Sequence, residues 1–128
     1  MLHHIEINVS NLKKSKDFYD LLLIKLGYQV FQEWENGFSY IYEDCYIVFV
    51  QTREKYQHHQ FTRMATGLNH LAFSISSESE VDSLRSELLK SGVTELYPEL
   101  YPHAGGANHY AFFFEDPDRI KLEIVSKN

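Results

Sequence analysis

Two segments of the chain follow the same order of patterns, and this internal repeat limits the possible folds more than any other feature. An alternating segment begins at His4 and leads into a helical pattern that ends at Gly27, 23 residues later. A second alternating segment begins at His70 and leads into a helical pattern that ends at Gly92, 22 residues later. A repeat of about 60 residues is too long for a solenoid unit, so we interpret it as a duplicated module.

The first module is predicted to have the order β-α-β-β-β. Residues 4–9 alternate between apolar and polar side chains, as in a half-buried strand. Ser10-Asn11 offers an N-cap for the following helix, and Gly27 suits the position just after its end. Three segments rich in Tyr, Phe, Ile and Val are then predicted as strands, at 28–34, 38–43 and 45–51.

The second module repeats this order after a polar segment without periodicity. Ser77 and Glu80 form a capping box at the start of its helix, and further strands are predicted near 93–97, 109–115 and 119–126. We therefore expect one α+β domain over residues 1–128. It would contain a module at 1–51, a linker at 52–67 and a module at 68–128, with the two βαβββ modules curving a mixed sheet around a shared cavity.

Composition narrows the possible partners and the compartment. The 128 residues carry a formal net charge of −6 and a single cysteine. An acidic chain is not expected to bind nucleic acid non-specifically, and one cysteine permits no internal disulfide. The sequence has neither a signal-like start nor an apolar stretch that could span a bilayer. We accordingly predict a cytoplasmic protein with no nucleic-acid or membrane partner.

Three residues that could ligate a metal share one predicted sheet face. By strand parity, His4, His70 and Glu123 all point away from the faces that the helices cover. Two imidazoles and one carboxylate suit a divalent ion and leave positions open for water or substrate. Each residue alone is equally an ordinary polar surface residue. Glu6 and His109 are candidate general bases, and both are also compatible with a solvated or structural role.

Three strings resemble the vicinal oxygen chelate superfamily across essentially the whole chain. They are HIEINVSNLKKSKDFY at 4–19, GLNHLAFSI at 67–75 and FFFEDPDRIKLEIV at 112–125. That superfamily includes glyoxalase I, methylmalonyl-CoA epimerase, fosfomycin-resistance proteins, extradiol dioxygenases and bleomycin-resistance proteins. The resemblance implies a glyoxalase-like fold, and it implies that His4, His70 and Glu123 bind a divalent metal such as Zn, Mn, Ni or Fe.

Departures from the family pattern narrow this expectation. Glyoxalase I carries a further ligand on its fourth strand, where this chain has Val48, so a three-residue metal site is expected here. Two function hypotheses follow from the resemblance. One is a small metal-dependent lyase, isomerase or dioxygenase that acts on a small molecule with adjacent oxygens. The other is a metal-free binding protein of the bleomycin-resistance type. In either case, the exposed edge of a module makes a homodimer plausible.

Overall fold

Two units with the same order of elements make up the chain. The computed structural model describes residues 1–127. The first unit spans Met1–Gln60 and the second begins at Phe61. The division falls inside the segment 52–67 that the sequence suggests as a linker, where one short 3₁₀ helix covers Glu54–Tyr56.

Each unit contains one α-helix and one four-stranded sheet. The elements of the first unit are β1 (His4–Val9), α1 (Leu12–Lys25), β2 (Gln29–Trp34), β3 (Gly37–Tyr42) and β4 (Cys45–Gln51). Those of the second are β5 (Leu71–Ile75), α2 (Glu78–Lys90), β6 (Thr94–Leu96), β7 (Ala111–Glu115) and β8 (Lys121–Ser126). The prediction of two βαβββ modules is confirmed.

The two sheets have the same topology. Their strand orders are β1-β4-β3-β2 and β5-β8-β7-β6. In each sheet the first strand pairs in parallel with the last, and the other pairs are antiparallel. This mixture follows from the connections, because a helix returns the chain across the sheet after the first strand of each unit, whereas turns or a loop join the antiparallel neighbours. The last strand of each unit therefore occupies the interior of its sheet.

The helix of the first unit covers one face of its sheet. Asn11 caps α1, its side-chain oxygen accepting from the backbone N–H of Lys14 at 3.0 Å, and Gly27 follows the helix with a φ of +94°. Tyr19 is fully buried and stacks on Phe49 of β4, with 4.0 Å between ring centroids. An aromatic core thus forms under this helix.

The second unit repeats this arrangement with a more aliphatic helix. The hydroxyl of Ser77 accepts from the backbone N–H of Glu80 at 3.2 Å, as the capping box predicts. The buried face of α2 consists of Val81, Leu84 and Leu88. Leu122 and Ile124 of β8 are fully buried on the helix side of the sheet. Parity therefore turns the odd-numbered residues of β8 to the opposite face, which is called the open face below.

The turn before β8 is longer than predicted. The strand was expected from residue 119 but begins at Lys121, because the carboxylate of Asp116 organises a turn. It accepts from the backbone N–H groups of Asp118 at 2.8 Å and Ile120 at 2.9 Å. Arg119 adopts a φ of 66° at the end of this turn. Strand β7 likewise begins two residues later than predicted, at Ala111.

A long loop over residues 97–110 connects β6 to β7 and is fastened to α2. This segment, the site loop, contains a short 3₁₀ helix at Pro98–Leu100. The hydroxyls of Tyr101 and Tyr110 both donate to the carboxylate of Asp82, the second at 2.7 Å. Arg85 lies over the ring of Tyr101 at 3.9 Å and forms two hydrogen bonds with Glu95. One turn of α2 therefore holds the loop at Tyr101 and at Tyr110.

Along residues 1–127, neither helix is long and apolar enough to cross a lipid bilayer.

Replacing Asp82 with Asn should reduce the acid sensitivity of the fold. The two tyrosine hydroxyls lower the pKa of Asp82 below its ordinary value of 3.8. A carboxyl with a lowered folded-state pKa stabilises the fold above its unfolded-state pKa, and this contribution is lost as the pH falls through the lowered value. The melting temperature of the wild type should thus fall more steeply than that of Asp82→Asn on acidification below about pH 4.

The measurement is a series of thermal melts between neutral and acidic pH. Asp44→Asn, at an exposed turn between β3 and β4, serves as the matched control. Parallel acid profiles for the wild type and Asp82→Asn would show that the tyrosine contacts do not stabilise the loop through the ionised carboxylate.

Candidate functional site

Glu123 is a buried carboxylate on the open face of the second unit. Its residue exposure is 3%, and its register partners are Ala72 on β5 and Phe113 on β7. An ionised carboxylate withdrawn from water in this way needs nearby donors or a cation. Two imidazoles lie against it. The Nε2 atom of His70 is 3.2 Å from Oε1, and Nε2 of His109 contacts Oε2.

The orientation of His70 is set by its sequence neighbour. Its Nδ1 atom is 2.6 Å from the side-chain oxygen of Asn69. An amide oxygen only accepts hydrogen bonds, so Nδ1 carries the proton. In a neutral ring, the lone pair of Nε2 then faces the oxygen of Glu123, and this contact is repulsive unless a proton or a metal ion lies between the two atoms. Such an outer hydrogen bond is the usual way to orient a metal-binding histidine.

His109 reaches the carboxylate from the end of the site loop. It lies two residues before β7 and shares strand parity with Phe113. Its backbone N–H donates to the carbonyl of Gly106 at 3.1 Å. The loop passes so close to the ring that a Cβ atom on Gly105 would lie 2.5 Å from Cδ2 of His109. A side chain at position 105 would therefore displace the imidazole.

These groups line a cavity of about 510 Å³ that lies within the second unit. Its polar wall consists of His70, His109 and Glu123. The rest of the lining includes Tyr97, Leu100, Phe113 and Lys121. The volume is that of a pocket for a small organic molecule, and aromatic walls with a few convergent polar groups are typical of such pockets.

The residues fit part of a metal site. Within residues 1–127, no group of three or more His, Cys, Asp or Glu side chains is arranged as a metal-binding cluster. His70 and Glu123, however, present one imidazole nitrogen and one carboxylate oxygen to each other across 3.2 Å, with the imidazole already oriented by Asn69. Nitrogen and carboxylate oxygen are donors that Zn, Mn, Ni and Fe accept.

The other predicted site residues lie in the first unit. His4 is exposed at the start of β1, where its ring stacks on Tyr46 at 4.8 Å and its Nδ1 atom is 2.8 Å from Nδ1 of His3. Glu6 is also exposed, on the same face of β1, and its register partner on β4 is Val48. The structure thus brings His70 and Glu123 together, and His4 and Glu6 remain predictions.

Two lining residues were not identified as functional from the sequence. Lys121 precedes Glu123 by two positions, so strand parity alone places both on the open face. Tyr97 could not be found in this way, because it has a left-handed backbone with a φ of 55° and strand parity does not apply to it. The sequence identifies His109 only as a candidate general base, because its contact with Glu123 depends on the course of the loop.

Comparisons with known proteins agree with this architecture. The family model of the Glyoxalase/Bleomycin resistance protein/Dioxygenase superfamily matches residues 1–124. Two uncharacterised Bacillus subtilis proteins are similar over 98% of this chain: YqjT, 43% identical over 98% of its own length, and YwkD, 34% identical over 96%.

Solved structures give the same result. A candidate glyoxalase from Bacillus halodurans is 52% identical, with a TM-score of 0.97 over 98% of this chain and 95% of its own. The fosfomycin resistance protein FosX from Listeria monocytogenes shares the fold, with a TM-score of 0.71 at 20% identity over 100% of this chain and 91% of its own. The repeated modules, the matched family model and these relatives establish that the chain belongs to the glyoxalase/bleomycin resistance protein/dioxygenase superfamily.

Proposed function

We propose that the protein is a metal-dependent enzyme that acts on a small molecule with adjacent oxygen atoms. His70 and Glu123 would bind a divalent ion such as Zn, Mn, Ni or Fe. His4 is retained as a predicted further ligand. The observation that carries the proposal is the contact between Nε2 of His70 and the buried carboxylate of Glu123 at 3.2 Å, inside a cavity.

The electrostatics of this contact favour a cation. Glu123 is almost withdrawn from solvent, and Asn69 holds the proton of His70 on the nitrogen that points away from the carboxylate. A cation held by His70 and Glu123 would satisfy both the lone pair of the imidazole and the negative charge of the carboxylate. His109 contacts the other carboxylate oxygen and so limits rotation of the Glu123 side chain.

The chemistry follows from the cavity around these ligands. A divalent ion held by His70 and Glu123 would supply Lewis acidity to the adjacent oxygen atoms of a substrate. Phe113, Leu100 and Tyr97 line the same cavity and would keep the reacting end of a substrate away from bulk water. His109 is the candidate general base within the cavity, and Glu6 remains a predicted alternative. Isomerisation, lyase and dioxygenase reactions are all compatible with this set.

A metal-free binding protein of the bleomycin-resistance type is the second candidate. The aromatic lining of the cavity by Tyr97 and Phe113 supports it, because such a surface can hold an apolar or planar ligand without a metal. In that case, a proton shared between His70 and Glu123 would take the place of the metal ion. The two candidates differ in a single measurable property, which is metal affinity.

Metal binding should depend on His70 and Glu123. The protein is purified without a histidine tag and loaded with Zn²⁺ or Mn²⁺. We expect it to retain about one ion per chain, because the ligands are oriented before the metal binds. His70→Ala and Glu123→Gln should lose this ion. Asn69→Ala should weaken binding by about 10- to 100-fold, because the outer hydrogen bond that orients His70 is removed. Mass spectrometry of the metal content and titration calorimetry provide the readout.

Two further variants complete this experiment. His103→Ala, at an exposed histidine of the site loop, is the matched control and should bind metal like the wild type. His4→Ala tests the predicted ligand of the first unit, and unchanged affinity would remove His4 from the proposal. If His70→Ala and Glu123→Gln retain the metal, the metalloenzyme proposal is wrong.

Gly105→Ala should act on the site through His109. The added methyl group would lie 2.5 Å from the ring, so the imidazole must move away from Glu123. We expect metal affinity to fall by about 10- to 100-fold, because Glu123 loses the contact with His109 that orients it as a metal ligand. In a His109→Ala background the same substitution should have little further effect, because the group that it displaces is gone. Additive losses in the double variant would contradict this mechanism.

A homodimer and a cytoplasmic location also belong to this proposal. Strand β2 lies at the edge of the first sheet, and its Val30, Phe31 and Trp34 are 43–53% exposed. An exposed apolar edge strand is a common site of association. Light scattering of the wild type should give twice the chain mass of 15.1 kDa. The Phe31→Lys variant should give the mass of a single chain. A monomer at all concentrations would contradict the homodimer.

A further inference from the structure

Lys121 presents an ammonium group to the cavity from an aromatic corner. Its Nζ atom lies 5.0 Å from the ring centroid of Tyr97 and 5.1 Å from that of Phe113. It donates to the hydroxyl of Tyr97 at 3.1 Å. The rings hold the charge by cation–π attraction without neutralising it. Lys121, Tyr97 and Phe113 all line the cavity that contains Glu123.

The carboxylate directly across the sheet from Lys121 already forms ion pairs with other residues. Glu115 is the cross-strand partner of Lys121 on the same face. Its Oε2 atom is 2.6 Å from Arg63 and 3.4 Å from Arg119. Among the described residues of the second unit, no carboxylate forms an ion pair with Lys121. The ammonium group therefore lines the cavity without a carboxylate at ion-pair distance among these residues.

The backbone at Tyr97 brings a second donor to the same place. Tyr97 has a φ of 55° and a ψ of 45°, a left-handed conformation that is costly for a residue with a side chain. In this conformation its ring packs edge-on against Phe113, with 5.7 Å between centroids, on the open face. Because the hydroxyl accepts its hydrogen bond from Lys121, its own hydrogen is left to donate to a ligand.

We propose that Lys121 and the hydroxyl of Tyr97 form an anion subsite that binds the carboxylate of the substrate. An ammonium group and an adjacent hydroxyl donor are suited to a carboxylate oxygen pair. Leu100, Phe113 and the ring of Tyr97 provide an apolar wall, so the rest of the molecule is apolar or aromatic. Lys121 and Glu123 lie two residues apart on one strand, about 6.6 Å along its length, which places the carboxylate next to the reacting oxygens.

This inference rests on the proposed function only for the oxygen atom that the substrate carries next to its carboxylate. The carboxylate subsite itself requires no metal. A substrate that satisfies both parts is a small aromatic or apolar carboxylic acid with an oxygen on the carbon next to the carboxylate. Benzoylformate has this chemistry, and its methyl ester is a neutral molecule of nearly the same shape.

The test compares the binding of benzoylformate and methyl benzoylformate by titration calorimetry. The wild type should bind the acid about tenfold or more tightly than the ester, the effect of one charge-assisted hydrogen bond. Lys121→Met should remove this preference by weakening the binding of the acid. Lys121→Arg should keep most of the preference, and Tyr97→Phe should reduce it.

Lys55→Met is the matched control. Lys55 also lies 5.0 Å from the centroid of a tyrosine ring, that of Tyr56, but it is outside the cavity. This variant should behave like the wild type. The proposal is overturned if the wild type does not prefer the acid, if it binds no acid at millimolar concentration, or if the preference persists in Lys121→Met.

Running each titration with metal-free and with Mn²⁺-loaded protein separates this proposal from the previous one. A preference for the acid that depends on Lys121 in the metal-free protein supports the subsite even where no metal binds. Tight metal binding combined with an unchanged preference in Lys121→Met rejects the subsite and leaves the metalloenzyme proposal intact.

Discussion

The burial of the Glu123 carboxylate between two imidazoles is the interaction on which the second unit depends. A charge at that depth is tolerated only with partners, and the fold supplies them from separate parts of the chain. His70 comes from the residue before β5, and His109 comes from the end of the site loop. Strand β8 brings the carboxylate between them because it lies between β5 and β7 in the sheet. The site is thus a consequence of the strand order.

Much of this architecture could be predicted from periodicity. The alternation at residues 71–75 and the capping box at Ser77 specify a strand and a helix with local signals, and strand parity is sufficient to place Glu123 on the open face. These signals act over a few residues. The contact between His109 and Glu123 depends instead on a loop whose course is set by Asp82 on α2, which no local pattern reveals. The left-handed backbone of Tyr97 is equally invisible to an alternating pattern.

Family membership and chemistry are carried by different parts of the molecule. FosX shares this fold at 20% identity, so the fold alone does not specify the reaction. Under the proposed function, a few side chains at the open face decide the chemistry. Val48 is the register partner of Glu6 on the first sheet, and it is apolar at the position where the sequence resemblance implies a ligand in glyoxalase I.

The engagement of Glu115 by two arginines has a consequence for selectivity. Because Arg63 and Arg119 occupy that carboxylate, β8 presents one negative group, Glu123, and one positive group, Lys121, on the same face. The floor of the cavity is therefore electrically polar along the strand. A ligand whose two ends differ in charge can enter the cavity in two orientations. The field gives these two orientations different electrostatic energies, independently of how well the ligand fits the shape of the cavity. Regioselectivity can thus arise from a pair of arginines that do not line the cavity.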